Sequence, residues 1–156
     1  MRMTDLKLCF EDAGFTNVKT VLSSGNVVFD SCSSADATLE QRAEAPMQAR
    51  LGRIFVTFVR RTTFLRELLE SDPYVRFVLA PDSKRVVSFL RKNVIPAPPL
   101  PLELGQARIL NVVQREVFAA YTPSDNGPEF MRLIEGTFGR EITTRTWETV
   151  RKCAAA

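Results

Sequence analysis

Two short stretches carry most of the side chains able to do chemistry. Thr143-Thr144-Arg145 stands where a terminal helix is expected to open, just ahead of Trp147. Two hydroxyls, a guanidinium and the free N–H groups of a helix N-terminus together suit a phosphate. The same residues also read as ordinary capping plus a surface charge. Ser23-Ser24-Gly25-Asn26 lies between two apolar runs. Its backbone and side-chain donors suit a small anion, and they equally mark a hairpin turn. Trp147 offers a ring for a base to stack on; with Val150 at helical spacing it reads also as an anchor for the last helix. The candidate ligand-binding set is therefore Ser24, Gly25, Asn26, Thr143, Thr144, Arg145 and Trp147.

No catalytic or metal-ligating residue joins that set. The 156 residues contain no histidine, which removes Ser-His-Asp and Cys-His chemistry, the commonest metal ligand and the usual base at neutral pH. Cys9, Cys32 and Cys153 are far apart with no CxxC spacing, so neither a disulfide framework nor a zinc site is expected. Cys9 falls on an apolar helical stripe and reads as a small buried hydrophobe. Glu67, Glu70 and Asp72 fall on a helix surface by spacing, and no Gly-rich phosphate loop occurs. No cofactor is predicted. A non-catalytic binding or interaction module for a small anionic ligand or protein partner is read ahead of an enzyme working in a cleft between lobes.

A nucleic-acid-contacting module is the other reading. The net charge is +3 and the sequence pI about 9.0, but the basic residues are dispersed in pairs such as Arg60-Arg61 and Lys84-Arg85 rather than gathered in a stripe. No apolar run reaches membrane length and no leader-like start is visible, so a cytoplasmic protein with no membrane partner is expected.

The elements that must position these residues follow from periodicity. Thr4 reads as the cap of a helix with Leu6, Cys9, Phe10 and Ala13 on one face and Gly14 as its stop. Asn17–Leu22 and Asn26–Asp30 read as hairpin strands, with Gly25 and Asn26 tolerating positive φ. Asp36–Arg50 is helical in composition, and Pro46 predicts a kink or a break there. Arg53–Arg60, with Ile54, Val56 and Phe58 on one face, is apolar on both and reads as an interior strand. Thr62 or Thr63 caps a helix presenting Leu65, Leu68 and Leu69, stopped at Asp72-Pro73-Tyr74.

Arg85–Arg91 reads as a further strand. Prolines 96, 98, 99 and 101 make residues 93–106 linker-like, with at most a helical turn around Leu102–Leu104. Arg108–Val113 and Glu116–Tyr121 form a second hairpin across Gln114-Arg115. Asn126-Gly127-Pro128-Glu129 opens a helix whose inner face is Phe130, Leu133, Ile134 and Phe138. Ile142 closes a short strand, and Thr143 or Thr144 caps a terminal helix, Arg145–Cys153. The order predicts an α+β fold of two ferredoxin-like lobes, 1–60 and 61–156, packed as one unit, the first lacking its opening strand.

Several blocks resemble one family along essentially the whole chain. They are Met3-Thr4-Asp5-Leu6, Ala13-Gly14-Phe15-Thr16-Asn17-Val18, Ser24-Gly25-Asn26-Val27-Val28-Phe29, Arg61-Thr62 with Asp72-Pro73-Tyr74, Lys84-Arg85 with Phe89-Leu90, and Thr143-Thr144-Arg145-Thr146-Trp147-Glu148-Thr149-Val150. The sequence is similar to the domain-of-unknown-function 1697 family. The resemblance implies small bacterial proteins with two intertwined ferredoxin-like βαββαβ subdomains and no established activity. Such members begin with a strand and an Arg-Gly-Ile-Asn-Val-Gly-like loop, whereas this chain starts at the first helix. That difference leads to the expectation of an open sheet edge and a homodimer formed through it. The family's Ser-Lys-Leu-Thr is Pro128-Glu129-Phe130-Met131 here, and its Asn-Trp-Asn is Thr146-Trp147-Glu148. Both changes weaken an anion site built from those groups.

Overall fold

The computed structural model describes residues 2–32, 34–53, 55–93, 99–123 and 129–156. The expectations for Ile54, Pro96, Pro98 and Asn126-Gly127-Pro128 lie outside that set. The fold is α+β, with five helices and two antiparallel sheets among the described residues. The chain divides into two compact units, Met1–Arg66 with Thr149–Ala156, and Glu67–Glu148.

The first unit opens with α1 (Met3–Asp12). Thr4 does not cap it: the helix begins one residue earlier, the N-cap is Arg2, and no side chain bonds the first turn. Gly14 stops it as expected. At φ 91° Gly14 donates to Glu11, while Phe15 N–H reaches back to the Phe10 carbonyl at 3.3 Å. This reverse hydrogen bonding satisfies the last carbonyls and folds Phe15 onto the helix. The hairpin β1 (Thr16–Val21) and β2 (Asn26–Asp30) follows as a two-stranded sheet. Phe10, Phe15 and Phe29 meet in one cluster, with ring centroids 4.2 Å apart for Phe15 and Phe29 and 5.4 Å for Phe10 and Phe29. This contact fastens the hairpin to α1. Phe10 and Phe15, which are buried, each contribute roughly 1.5–3 kcal/mol.

Helix α2 (Asp36–Leu51) closes the same core with Leu39, Ala43 and Met47. Pro46 neither ends nor divides it, contrary to the break that composition suggests. The proline removes one N–H and costs about 3 kcal/mol in a helix interior. The buried face on both sides of it, Ala43 at 0% exposure and Met47 at 3%, offsets that cost.

The largest departure from expectation is residues 55–60. They belong to no sheet, and Val56 is 50% exposed. The segment is held by α2 instead: Glu44 Oε1 accepts from Thr57 N–H and Glu40 Oε2 from Val59 N–H, both at 2.9 Å. Two carboxylates one helical turn apart match alternate N–H groups of an extended chain, so they stand where a neighbouring strand's carbonyls would. Periodicity alone could not reveal this, because it reads apolar faces and not hydrogen-bond partners.

The second unit holds a five-stranded antiparallel sheet in the order β4-β5-β6-β3-β7. Its strands are β3 (Lys84–Leu90), β4 (Leu102–Leu104), β5 (Ala107–Val113), β6 (Glu116–Tyr121) and β7 (Ile142–Thr146). Helix α3 (Thr62–Ser71) leads into it and α4 (Glu129–Phe138) connects β6 to β7; α5 (Trp147–Ala155) ends the chain. The unit boundaries fall within α3 and α5.

Leu102–Leu104 forms a strand and not a helical turn. Gly105 at φ 57° turns the chain so that Leu102 pairs with Ile109 and Leu104 with Ala107. A Cβ at Gly105 would lie 2.2 Å from the Glu129 carboxylate, which accepts from Gln106 N–H at 3.0 Å. A side chain here would strain the dihedral and push the Glu129 carboxylate aside. In the β5–β6 turn Gln114 takes φ 53° where no glycine is available. Ile134, Phe130, Val86 and Val117 form the core between α4 and one sheet face.

Replacing Glu40 by Ala removes the acceptor for a buried N–H, a loss of about 1–3 kcal/mol. The expected reading is a lower urea midpoint with unchanged slope, while Glu40→Gln, which keeps an acceptor oxygen, recovers most of the difference.

Candidate functional site

Each candidate stretch is built by one unit. In the first, the chain turns through Leu22-Ser23-Ser24-Gly25. Gly25 has φ 90°, as expected, but the second positive φ falls on Leu22, at 61°, and not on Asn26. Asn26 is the first residue of β2, paired with Val21. Its Nδ2 donates to the Val21 carbonyl at 3.0 Å and to Ser24 Oγ at 2.8 Å. The amide thus braces the turn from within, while Ser24 and Gly25 stay exposed. The bend itself orients these groups, and their mutual bonds serve the turn conformation.

In the second unit Thr143, Thr144 and Arg145 lie inside β7, paired with Phe89, Ser88 and Val87. The helix starts at Trp147. The expected helix opening at Thr143 is therefore corrected: β-branched threonines on alternate faces satisfy a ladder, and β3 supplies the partner. Thr144 Oγ1 lies 2.7 Å from Ser88 Oγ, and Ser88 is fully buried. That hydroxyl pair completes its hydrogen bonding across the sheet, as a buried polar group must. Arg145 Nη1 donates to Thr143 Oγ1 at 2.8 Å and to the Thr144 carbonyl at 2.9 Å.

Trp147 is 7% exposed. Its ring meets Tyr74 edge-on at 5.1 Å and Phe118 at 6.4 Å, while Tyr74 and Phe118 are themselves 5.9 Å apart. This aromatic trio makes Trp147 the anchor of its helix. Tyr74, read from sequence only as part of a helix stop, is its centre. It is 1% exposed, and its hydroxyl donates to the Val86 carbonyl. Burial raises the Tyr74 phenol well above its ordinary pKa, against smaller lowering influences from the backbone and from Arg85. Nothing in an Asp-Pro-Tyr stop signals this role; a buried tyrosine needing a partner is visible only once the sheet is in place.

Elsewhere, burial pushes the Cys9 thiol above its usual pKa, in keeping with a packed hydrophobe. Asp12 accepts from Arg50 and raises the guanidinium's pKa by hydrogen bonding and charge. Among the described residues no group of three or more His, Cys, Asp or Glu could hold a metal ion. Nor is any helix there long and apolar enough to cross a membrane.

The raised Tyr74 pKa favours the neutral phenol in the folded state. Its stabilising share is complete below the unfolded value of about 10 and is lost as pH rises above that. Tyr74→Phe is expected to cost about 1–2 kcal/mol at neutral pH, through loss of the buried hydroxyl's hydrogen bond. It should also shrink the fall in stability above pH of about 10. Chemical denaturation across that range reads both effects.

No curated protein matches this chain. Among solved structures, the conserved bacterial protein SP0830 from Streptococcus pneumoniae shares the fold, with a TM-score of 0.69 and 19% sequence identity over 99% of this chain and 88% of that one. The family described as "Protein of unknown function (DUF1697)" matches residues 1–118. The family match takes in the blocks from Met3 to Leu90, Thr143–Val150 lies beyond it, and the chain belongs to the DUF1697 family.

Proposed function

We propose that this chain is a non-catalytic interaction module whose working surface is the open edge of β2. The observation that carries the reading is a mismatch between composition and place. Asn26-Val27-Val28-Phe29-Asp30 has the β-branched and aromatic make-up of an interior strand, yet among the described residues β2 belongs to a sheet of two strands. A strand edge presents a row of N–H and C=O groups that a further extended segment can meet. Such an interaction needs no general base, metal or cofactor.

The ligand reading for Ser24, Gly25 and Asn26 fits the same surface, since the turn adjoins β2. Thr143, Thr144 and Arg145 support an anion site less, because their backbone groups serve a strand ladder and not a helix opening. The ferredoxin-like reading of the second unit is supported by the order β5-β6-β3-β7 and by α4 crossing between β6 and β7. The connection from β3 to β5 carries no helix among its described residues.

The test is a photo-crosslinking side chain placed at Val28, with a second placed at the exposed Lys152 as control, in the chain's native cell. A covalent protein adduct at position 28 and none at 152 is expected. A folded protein giving no adduct at 28 overturns the reading.

A further inference from the structure

The structure assigns a phosphate-binding site to the face of the five-stranded sheet turned away from α4, where Arg85 and Arg108 take one oxyanion between them across Ala120. The site is independent of the β2 surface and lies wholly within the second unit.

Strand register puts the two arginines there. Arg85 of β3 and Arg108 of β5 both pair with Ala120 of β6. Directly paired residues of antiparallel strands share a face, so the three stand in one line across the sheet. Their neighbours Val86, Ala107, Ile109 and Ala119 belong to the core under α4. Alternation therefore sends Arg85, Ala120 and Arg108 to the opposite face. The two arginine Cα atoms are two strand spacings apart, about 10 Å. Only a methyl group stands between them, and two long side chains can reach over it to the same ligand.

One loop sets both arms. The Arg85 guanidinium lies 5.8 Å from the centroid of the buried Tyr74 ring. Arg108 Nη1 donates to the Val78 carbonyl at 3.0 Å, and its Nε lies 3.2 Å from Glu103 Oε1 without hydrogen-bond geometry. Tyr74 and Val78 both belong to the connection from α3 to β3. The donors are not used up by these contacts. Among the described residues the exposed Arg85 makes no side-chain hydrogen bond or ion pair, and Arg108 keeps the N–H groups of Nη2. Glu103 is the one carboxylate there in ion-pair contact with either arginine, so the pair holds an excess of positive charge. Of the acids in the connecting loop, Asp72 accepts from Tyr74 N–H at 3.1 Å and Asp82 is exposed in the turn before β3.

The chemistry favours phosphate. A planar guanidinium presents paired N–H groups that match phosphate oxygens, and two of them suit a dianion. Val75 and Val78, 76% and 92% exposed on the same loop, offer apolar contact to the organic body of a phosphate ester.

Calorimetric titration of the full chain with pyrophosphate in low-salt buffer tests the site. Saturable binding is expected, weakened about ten-fold or more by Arg85→Gln and likewise by Arg108→Gln, since each removes charge-assisted hydrogen bonds. Arg85→Lys, which keeps the charge and loses the planar fork, should bind between wild type and Arg85→Gln. Arg132→Gln, on α4, should leave the affinity unchanged. The Arg85 side chain is exposed and holds no hydrogen bond, so Arg85→Gln is expected to keep the wild-type circular dichroism and melting temperature even if Arg108→Gln does not. A wild-type chain with no saturable binding overturns the site, and so does an affinity that Arg85→Gln leaves intact. Equal weakening by Arg132→Gln overturns it as well, as attraction of anions to basic charge in general. Citrate bound more tightly than pyrophosphate overturns the phosphate assignment.

Discussion

Every extended stretch of backbone must find partners for its N–H and C=O groups, and much of this structure follows from how each unit meets that demand. The second unit meets it with strands, five of them in one antiparallel order. The first has two strands and one extended segment outside any sheet, and there the helix α2 intervenes with Glu40 and Glu44. Glu40, 3% exposed, would be a costly charge to bury without such a partner. The acid and the unpaired backbone thus offset each other's cost.

The packing of each unit respects the same demand. Around Phe10, Phe15 and Phe29 the first core is built from rings with no polar atoms, so α1 and the hairpin meet without a hydrogen bond to satisfy. Arg42 borders this core, with its guanidinium 4.8 Å from the Phe15 ring centroid and Nη2 donating to the Ala13 carbonyl at the end of α1. In the second unit the aromatic core does contain polar atoms. The Tyr74 hydroxyl is buried there with a partner, while the buried Ser88, on the sheet face of Val86 and Leu90, has Thr144. The proposed surface is the outer edge of β2, a strand of largely apolar composition.

How much was legible varied with the kind of signal. The first hairpin, the helix stop at Gly14 and the second hairpin were plain, because glycine, β-branched residues and alternation act over a few neighbouring positions. Thr143–Arg145 was misread because a threonine pair suits both a cap and a strand, and the deciding partner, β3, lies more than fifty residues earlier. Leu102–Leu104 was misread for a similar reason: prolines before it suggested a linker, and only pairing with β5 makes it a strand. Of the candidate residues, Trp147 reads in the sequence as anchor or platform, and Tyr74 and Phe118 packed against its ring make it an anchor.

What the sequence by itself determined was local or compositional: an α+β chain, an apolar hairpin, no histidine chemistry, and the blocks that mark its family. Those depend on side-chain type and short spacing, which the linear order contains in full. Tertiary structure alone decided which extended segments became strands and which hydroxyls were consumed in the core. Each of these depends on groups brought together from distant positions, and a backbone's hydrogen-bond partners are chosen only when the chain has closed upon itself.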